Sequence, residues 1–131
     1  MGNSTKILLV EDDRYIALAL KIRLQSEGFD VKVVGGCKAA LSSAFSYRPD
    51  IAVLDYNLPD GNGLALMQMI TQEYQQTPVG SIVMSASKMP GLCEQAKELG
   101  AIEFFEKPFR SADLIESIAR FQSNSEPGCV A

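Results

Sequence analysis

At 131 residues the chain is long enough for one domain whose hydrophobic core needs no disulfide or metal staple. Apolar residues make up 47% and charged residues 21%, an ordinary globular balance, and a net charge of −4 disfavours nucleic acid and anionic membranes as partners. Histidine is absent, which excludes Ser-His-Asp and Cys-His nucleophile systems, histidine metal sites and a phosphohistidine on this chain. Chemistry therefore falls to carboxylates, lysines, hydroxyls or a bound metal.

Cys37, Cys93 and Cys129 are odd in number and lack metal-type spacing, so a reducing compartment is expected, with Cys37 and Cys93 as small core or helix-face residues. The N-terminus carries no signal-peptide apolar segment, and no apolar run is long enough to cross a bilayer. The closing "GCVA" sets Cys129 third from the end, not fourth as prenylation requires. A cytoplasmic location is expected, with no membrane and no direct nucleic-acid partner.

Residues 1–5 read as an N-terminal tail. "KILLV" (6–10) is a short apolar run ended by acids, a buried strand. From Arg14 the apolar residues Ile16, Leu20 and Leu24 fall at helical spacing until Gly28 stops them. "FDVKVV" (29–34) predicts a strand, "CKAALSSAF" (37–45) a helix, and "IAVLD" (51–55) a second buried strand. A Pro/Gly turn follows, then a helix over 63–74, with Pro78 and Gly80 as loop residues before the strand "SIVMS" (81–85). The remaining elements are a helix over 92–100 with Pro90 tolerated in its first turn, a strand "IEFF" (102–105), and a helix over 111–121 with Ser111 as N-cap. Residues 122–131 read as a tail or the start of a linker.

Five strand–helix units with strands apolar on both faces predict an α/β fold, a doubly wound parallel sheet covered by helices on both sides. In such sheets, sites form outside the carboxyl ends of the strands. Those ends carry Glu11, Asp12 and Asp13, then Asp55, then Ser85 and Ala86, then Glu106, Lys107 and Pro108. Each acid alone is an ordinary turn former or helix N-terminal charge. Jointly they pose an electrostatic problem, since two carboxylates about 5 Å apart repel by roughly 3 kcal/mol at an effective dielectric near 20. Gathering three calls for raised pKa values or a cation. Hard oxygen ligands without histidine suit Mg²⁺, and Asp55 flanked by a cation, a lysine and a hydroxyl is suited to forming an aspartyl phosphate.

The strings "LLVEDD", "VLDYNLPDGNG", "VMSAS" and "GAIEFFEKPF", in this order and spacing, resemble those of response-regulator receiver domains. These are the CheY-like phosphoacceptor domains of two-component signalling. The resemblance covers about residues 5 to 121, with the receiver domain taken as 6–121. It implies a flavodoxin-like (βα)5 fold with strand order 2-1-3-4-5. It also implies a phosphorylated Asp55 and Mg²⁺ held by Asp12, by Asp55, by Glu11 through water and by the backbone carbonyl of Asn57. Ser85 matches the family's hydroxyl switch residue with Ala86 beside it, Phe105 the aromatic switch residue, Lys107 the phosphate-binding lysine, and Pro108 the proline after a cis bond.

The implied donor is the phosphohistidine of a kinase or phosphotransfer protein, docking on the first helix near Arg14, Tyr15 and Leu18. The output is a shift of the face built from the fourth helix, fifth strand and fifth helix. That face would act on a downstream target, an attached C-terminal effector domain or a second copy of the chain as a homodimer. The domain is expected to catalyse its own phosphorylation and dephosphorylation without being an enzyme in the usual sense. Gly80 and Ser81 depart from the family pattern as a small insertion, and Pro90–Gly91 suggest a delayed fourth helix. Asp13 and Asp60 are expected to be a helix cap and a turn residue. Alternatives are a receiver-like interaction module without phosphorylation, a flavodoxin-like cofactor binder, and a phosphatase of the haloacid dehalogenase type. The phosphatase would need a second acid where Asn57 stands, and a nucleophile on the first strand.

Overall fold

The computed structural model describes residues 5–75 and 78–125. Five parallel strands, β1 (Lys6–Val10), β2 (Asp30–Val34), β3 (Ile51–Asp55), β4 (Gly80–Ser85) and β5 (Glu103–Glu106), lie in the order β2-β1-β3-β4-β5. The helices are α1 (Arg14–Ser26), α2 (Cys37–Tyr47), α3 (Gly63–Glu73), α4 (Leu92–Glu98) and α5 (Ser111–Ser125). This is the doubly wound sheet that the sequence predicts, in the strand order that its resemblance implies. The chain moves outward from β1 to β2 and then crosses back to β3, so the order reverses between β1 and β3. The crevice beyond their carboxyl ends is where such folds place a site, and it is where Glu11, Asp12 and Asp55 stand.

The period-2 geometry of a strand divides the core in two. Leu8, Val10, Ala52, Leu54 and Val83 face α2, α3 and α4, meeting Ala40, Ala44, Leu66, Met67, Ile70 and Ala96. Ile7, Leu9, Ile51, Val53, Ile82 and Met84 face α1 and α5, meeting Ala17, Leu20, Leu24, Leu114 and Ile118. Both faces of β1 and β3 are buried, which explains their unbroken apolar runs. Each large aliphatic side chain fully buried here contributes about 1.5–3 kcal/mol.

Asp13 caps α1 as expected, its Oδ1 accepting the N–H groups of Tyr15 at 3.0 Å and Ile16 at 3.1 Å. Cys37 and Cys93 are half-buried free thiols. The Pro/Gly turn after Asp55 is a miniature antiparallel hairpin, Asn57–Leu58 paired with Gly61–Asn62. Ser111 is the first residue of α5, not its cap, and α5 runs four residues past the expected end, to Ser125. α4 is a seven-residue helix that begins only at Leu92, after Pro90. Residues 1–4, 126–131 and Cys129 within them lie outside the described residues.

Gly80 belongs to β4 and not to the preceding loop: its N–H donates to Asp50 O at 3.0 Å, and it pairs in register with Ile51. A Cβ at this position would lie 2.8 Å from two ring carbons of Phe121 on α5. The apparent insertion is therefore the seat for an aromatic ring. Gly80→Ala is expected to destabilise the fold by about 1–3 kcal/mol through overpacking. Shortening Phe121 to Leu in the same chain should recover part of that loss in urea unfolding.

Candidate functional site

Glu11 follows β1 directly, and its N–H is tied to Val34 O at 3.0 Å, which holds it at the end of β1. Asp55 is the last residue of β3, placed between β1 and β4 by register. Glu11 is 3% exposed and Asp55 5%, whereas Asp12 is open to solvent. One carboxylate oxygen from each of the three lies within 4.8 Å of the others. Lys107, just beyond β5, reaches into this group: its Nζ donates to Glu11 Oε1 at 2.6 Å and to Asp55 Oδ2 at 3.0 Å. The second oxygens are also engaged. Glu11 Oε2 accepts the Asp13 N–H at 3.1 Å, and Asp55 Oδ1 accepts the Asn57 N–H at 3.1 Å.

Burial pushes the Glu11 carboxyl above its ordinary range, and the Lys107 hydrogen bond only partly offsets this. Burial alone would depress Lys107, but its bonds to Glu11 and Asp55 prevail and hold its pKa above the ordinary 10.5. Three carboxylates facing one ammonium leave an excess of two negative charges. The donors are all hard oxygens, and the Asp12 side is open to water. That set fits a small divalent cation that keeps part of its hydration shell.

The loop after Asp55 is held close. The Gly63 N–H donates to Tyr56 O at 2.8 Å, and a Cβ at Gly63 would lie 2.5 Å from the Asp55 carbonyl oxygen. α3 can begin here only because residue 63 has no side chain. Asn57, the first residue of the hairpin, is exposed next to this turn. The Lys107–Pro108 bond is cis.

Ser85 is fully buried at the end of β4, its Oγ accepting the Ser87 N–H at 2.9 Å and its carbonyl accepting the Lys107 N–H at 2.8 Å. Ala86 is exposed and, with Lys107, Pro108 and Phe109, lines a groove against Ile16 and Leu20 of α1. Phe105 does not stand where the expected coupling to Ser85 requires. It pairs in register with Met84, packs in the α1/α5 core, and stacks on Phe109 with ring centroids 5.1 Å apart. Side chains alternate along a strand, so Ser85 projects to the face of Val83, opposite to Met84. The aromatic on the Ser85 face is Phe104, paired with Val83 and packed with the α4-side core.

Two features of the site go beyond what the sequence leads one to expect. Phe104 had a readable signal in the parity of its position, since strand alternation separates it from Phe105. Asp60 is more than a turn residue: its carboxylate accepts the N–H groups of Cys37 at 2.7 Å and Lys38 at 3.0 Å, capping α2. The signal was Gly36, which precedes the α2 pattern and has no side chain to cap it.

Lys107 is the counter-charge of two buried carboxylates, and its removal leaves them unpaired. Lys107→Met is expected to destabilise the metal-free domain by about 3 kcal/mol at neutral pH, with added Mg²⁺ restoring part of it. The pH sign follows from linkage. A folded pKa raised above 10.5 means that the Lys107 contribution is complete below pH 10.5 and is lost as pH rises through the folded value. Alkaline unfolding monitored by circular dichroism should show this loss in the wild type, and the loss should be absent from Lys107→Met.

The comparisons with known proteins agree with this fold. The family model described as "Response regulator receiver domain" matches residues 7–119. The chain is 31% identical over 122 residues to the DNA-binding response regulator MtrA of Mycobacterium tuberculosis, covering 92% of this chain and 52% of that protein. It is 34% identical over 122 residues to the response regulator ArlR of Staphylococcus saprophyticus, covering 91% and 51%. The chain therefore spans about half the length of the curated relatives it matches. Among solved structures, the non-phosphorylated HemR receiver domain of Leptospira biflexa aligns with a TM-score of 0.84 at 31% identity, covering 95% of this chain and 98% of that one. The CheY-like receiver domain of Methanospirillum hungatei gives 0.83 at 24% identity, covering 91% and 94%, a likeness of fold. With a strand order that reverses beside an acidic crevice and a family match over nearly its whole length, the chain belongs to the response-regulator receiver domains of two-component signalling.

Proposed function

We propose that this domain is a phosphorylation-dependent switch in which Asp55 takes a phosphoryl group from the phosphohistidine of a kinase or phosphotransfer protein. The observation that carries this reading is Asp55 itself, a nearly buried carboxylate held by Lys107 within a cluster of acids at the strand-order reversal. Glu11, Asp12, Asp55 and the backbone carbonyl of Asn57 would hold Mg²⁺. When bound, that ion supplies neutralising charge for the phosphoryl oxygens. An Asp55 oxygen forms the new P–O bond as the P–N bond of the donor breaks. Lys107, already bonded to Asp55, transfers its hydrogen bond to a phosphoryl oxygen, and Ser85 offers its hydroxyl to another. Hydrolysis of the acyl phosphate by water resets the domain, which makes it a phosphoacceptor and not an enzyme in the usual sense.

Docking of the donor fits α1, where Tyr15, Leu18 and Ile22 are 87%, 55% and 58% exposed and lie on one helical stripe beside the acids. The signal leaves through the face of α4, β5 and α5. Phe104, not Phe105, is the aromatic relay, because it shares the Ser85 face and packs toward α4. This face would serve a partner, an attached effector domain or a homodimer. Effector attachment is supported by the relatives being about twice the length of this chain.

Acetyl phosphate with Mg²⁺ is expected to add the mass of one phosphoryl group to the wild type and none to Asp55→Asn. An unmodified wild type would favour a receiver-like module that binds its partner without phosphorylation. Beyond the acceptor itself, Phe104→Ala should leave phosphorylation intact while abolishing the phosphorylation-linked change in α4 hydrogen exchange. Phe105→Ala should retain that change.

A further inference from the structure

The N-terminus of α2 is capped from across the chain. Gly36 occupies the N-cap position and has no side chain, so the first N–H groups of the helix need an outside acceptor. Asp60 supplies it with both oxygens: Oδ1 accepts from Cys37 at 2.7 Å and Oδ2 from Lys38 at 3.0 Å. Asp60 lies at the tip of the hairpin whose first residue is Asn57. The fit at the tip is close on both sides. A Cβ on Gly36 would lie 2.9 Å from Asp60 Oδ1, and a Cβ on Gly61 would lie 2.9 Å from Cys37 Sγ. At its other end the hairpin is tied to the acceptor, through Asn57 N–H to Asp55 Oδ1 at 3.1 Å and Gly63 N–H to Tyr56 O at 2.8 Å.

A helix that needed only a cap could carry Ser or Asp at position 36. Placing the cap on the hairpin instead joins two elements that strand pairing leaves independent. We propose that Asp60 is a positioning residue for the cation site: its two-oxygen clamp on α2 holds the hairpin so that the Asn57 carbonyl stays placed for the metal. This rests on the function proposed above. The Asp60 carboxyl is held below its ordinary pKa by the same backbone N–H groups, so the clamp is charged and complete at neutral pH.

Mg²⁺ binding measured by calorimetry, well below each variant's unfolding temperature, tests the assignment. Asp60→Ala is expected to weaken binding roughly tenfold, the lower end of what loss of an outer-shell support does to a metal site. Gly36→Ala should weaken binding as well, by crowding the carboxylate from the other side. Asp60→Asn, which keeps one acceptor oxygen, should fall between Asp60→Ala and the wild type. Ala44→Gly weakens α2 without touching the cap and is expected to leave the affinity unchanged. Because coupling is reciprocal, Mg²⁺ should slow exchange of the Cys37 and Lys38 amides in the wild type but not in Asp60→Ala. If Asp60→Ala binds Mg²⁺ as the wild type does, or if Ala44→Gly weakens binding equally, Asp60 is a helix cap only and the proposal is overturned. A wild type that binds no Mg²⁺ overturns the underlying reading of the site, and this proposal with it.

Discussion

Lys107 reaches across the sheet to hold Glu11 and Asp55, and the arrangement of the site depends on that one ammonium. Two buried carboxylates on neighbouring strands are unstable company, and breaking a buried ion pair costs about 3–5 kcal/mol because the remaining charge stays unpaired. β1 delivers Glu11, β3 delivers Asp55, and β5, the edge strand, returns the cation. The sheet order thus brings together residues separated by 96 and 52 positions in the chain. The ammonium does not complete the charge balance, since Asp12 stands beside the pair. The site is stable enough to fold and still electrostatically unfinished, a condition suited to recruiting a cation and then a phosphoryl group.

On the proposed function, such a site must be rigid where charge gathers and movable where the signal would leave. Rigidity comes from β1 and β3, both buried on each face, and from Gly63, which lets α3 start against the Asp55 carbonyl. Movement would then fall to the outer side of the sheet. β5 is a four-residue strand at the edge with half-buried aromatics, and α4 is the shortest of the helices among the described residues. Elements with little buried area open at low free energy, which is the property that switching elements share.

Much of this was legible from residue order. Unbroken apolar strands between amphipathic helices specify a two-faced parallel sheet, and the acids and Lys107 declare themselves by standing at strand ends. Gly80 was harder, because a glycine two residues after a proline reads as loop, and only the Phe121 ring explains its place in β4. Asp60 left only an indirect trace in the sequence, the uncapped Gly36 ahead of α2. Helix caps are sought within a residue or two, whereas this one comes from 23 positions away. For the two aromatics, the resemblance points to the region, and strand parity puts Phe104, not Phe105, on the face of Ser85.

That parity has a consequence for how the domain can vary. Phe104 and Phe105 are joined by one peptide bond yet belong to different cores, one shared with α4 and the other with α1 and α5. Substitutions at 104 are felt on the side of the sheet that carries the hydroxyl of Ser85. Substitutions at 105 are felt on the side that seats the first and last helices. Adjacent codons therefore bear on separable cores, and on the proposed function one would tune the switch while the other keeps the scaffold cohesive.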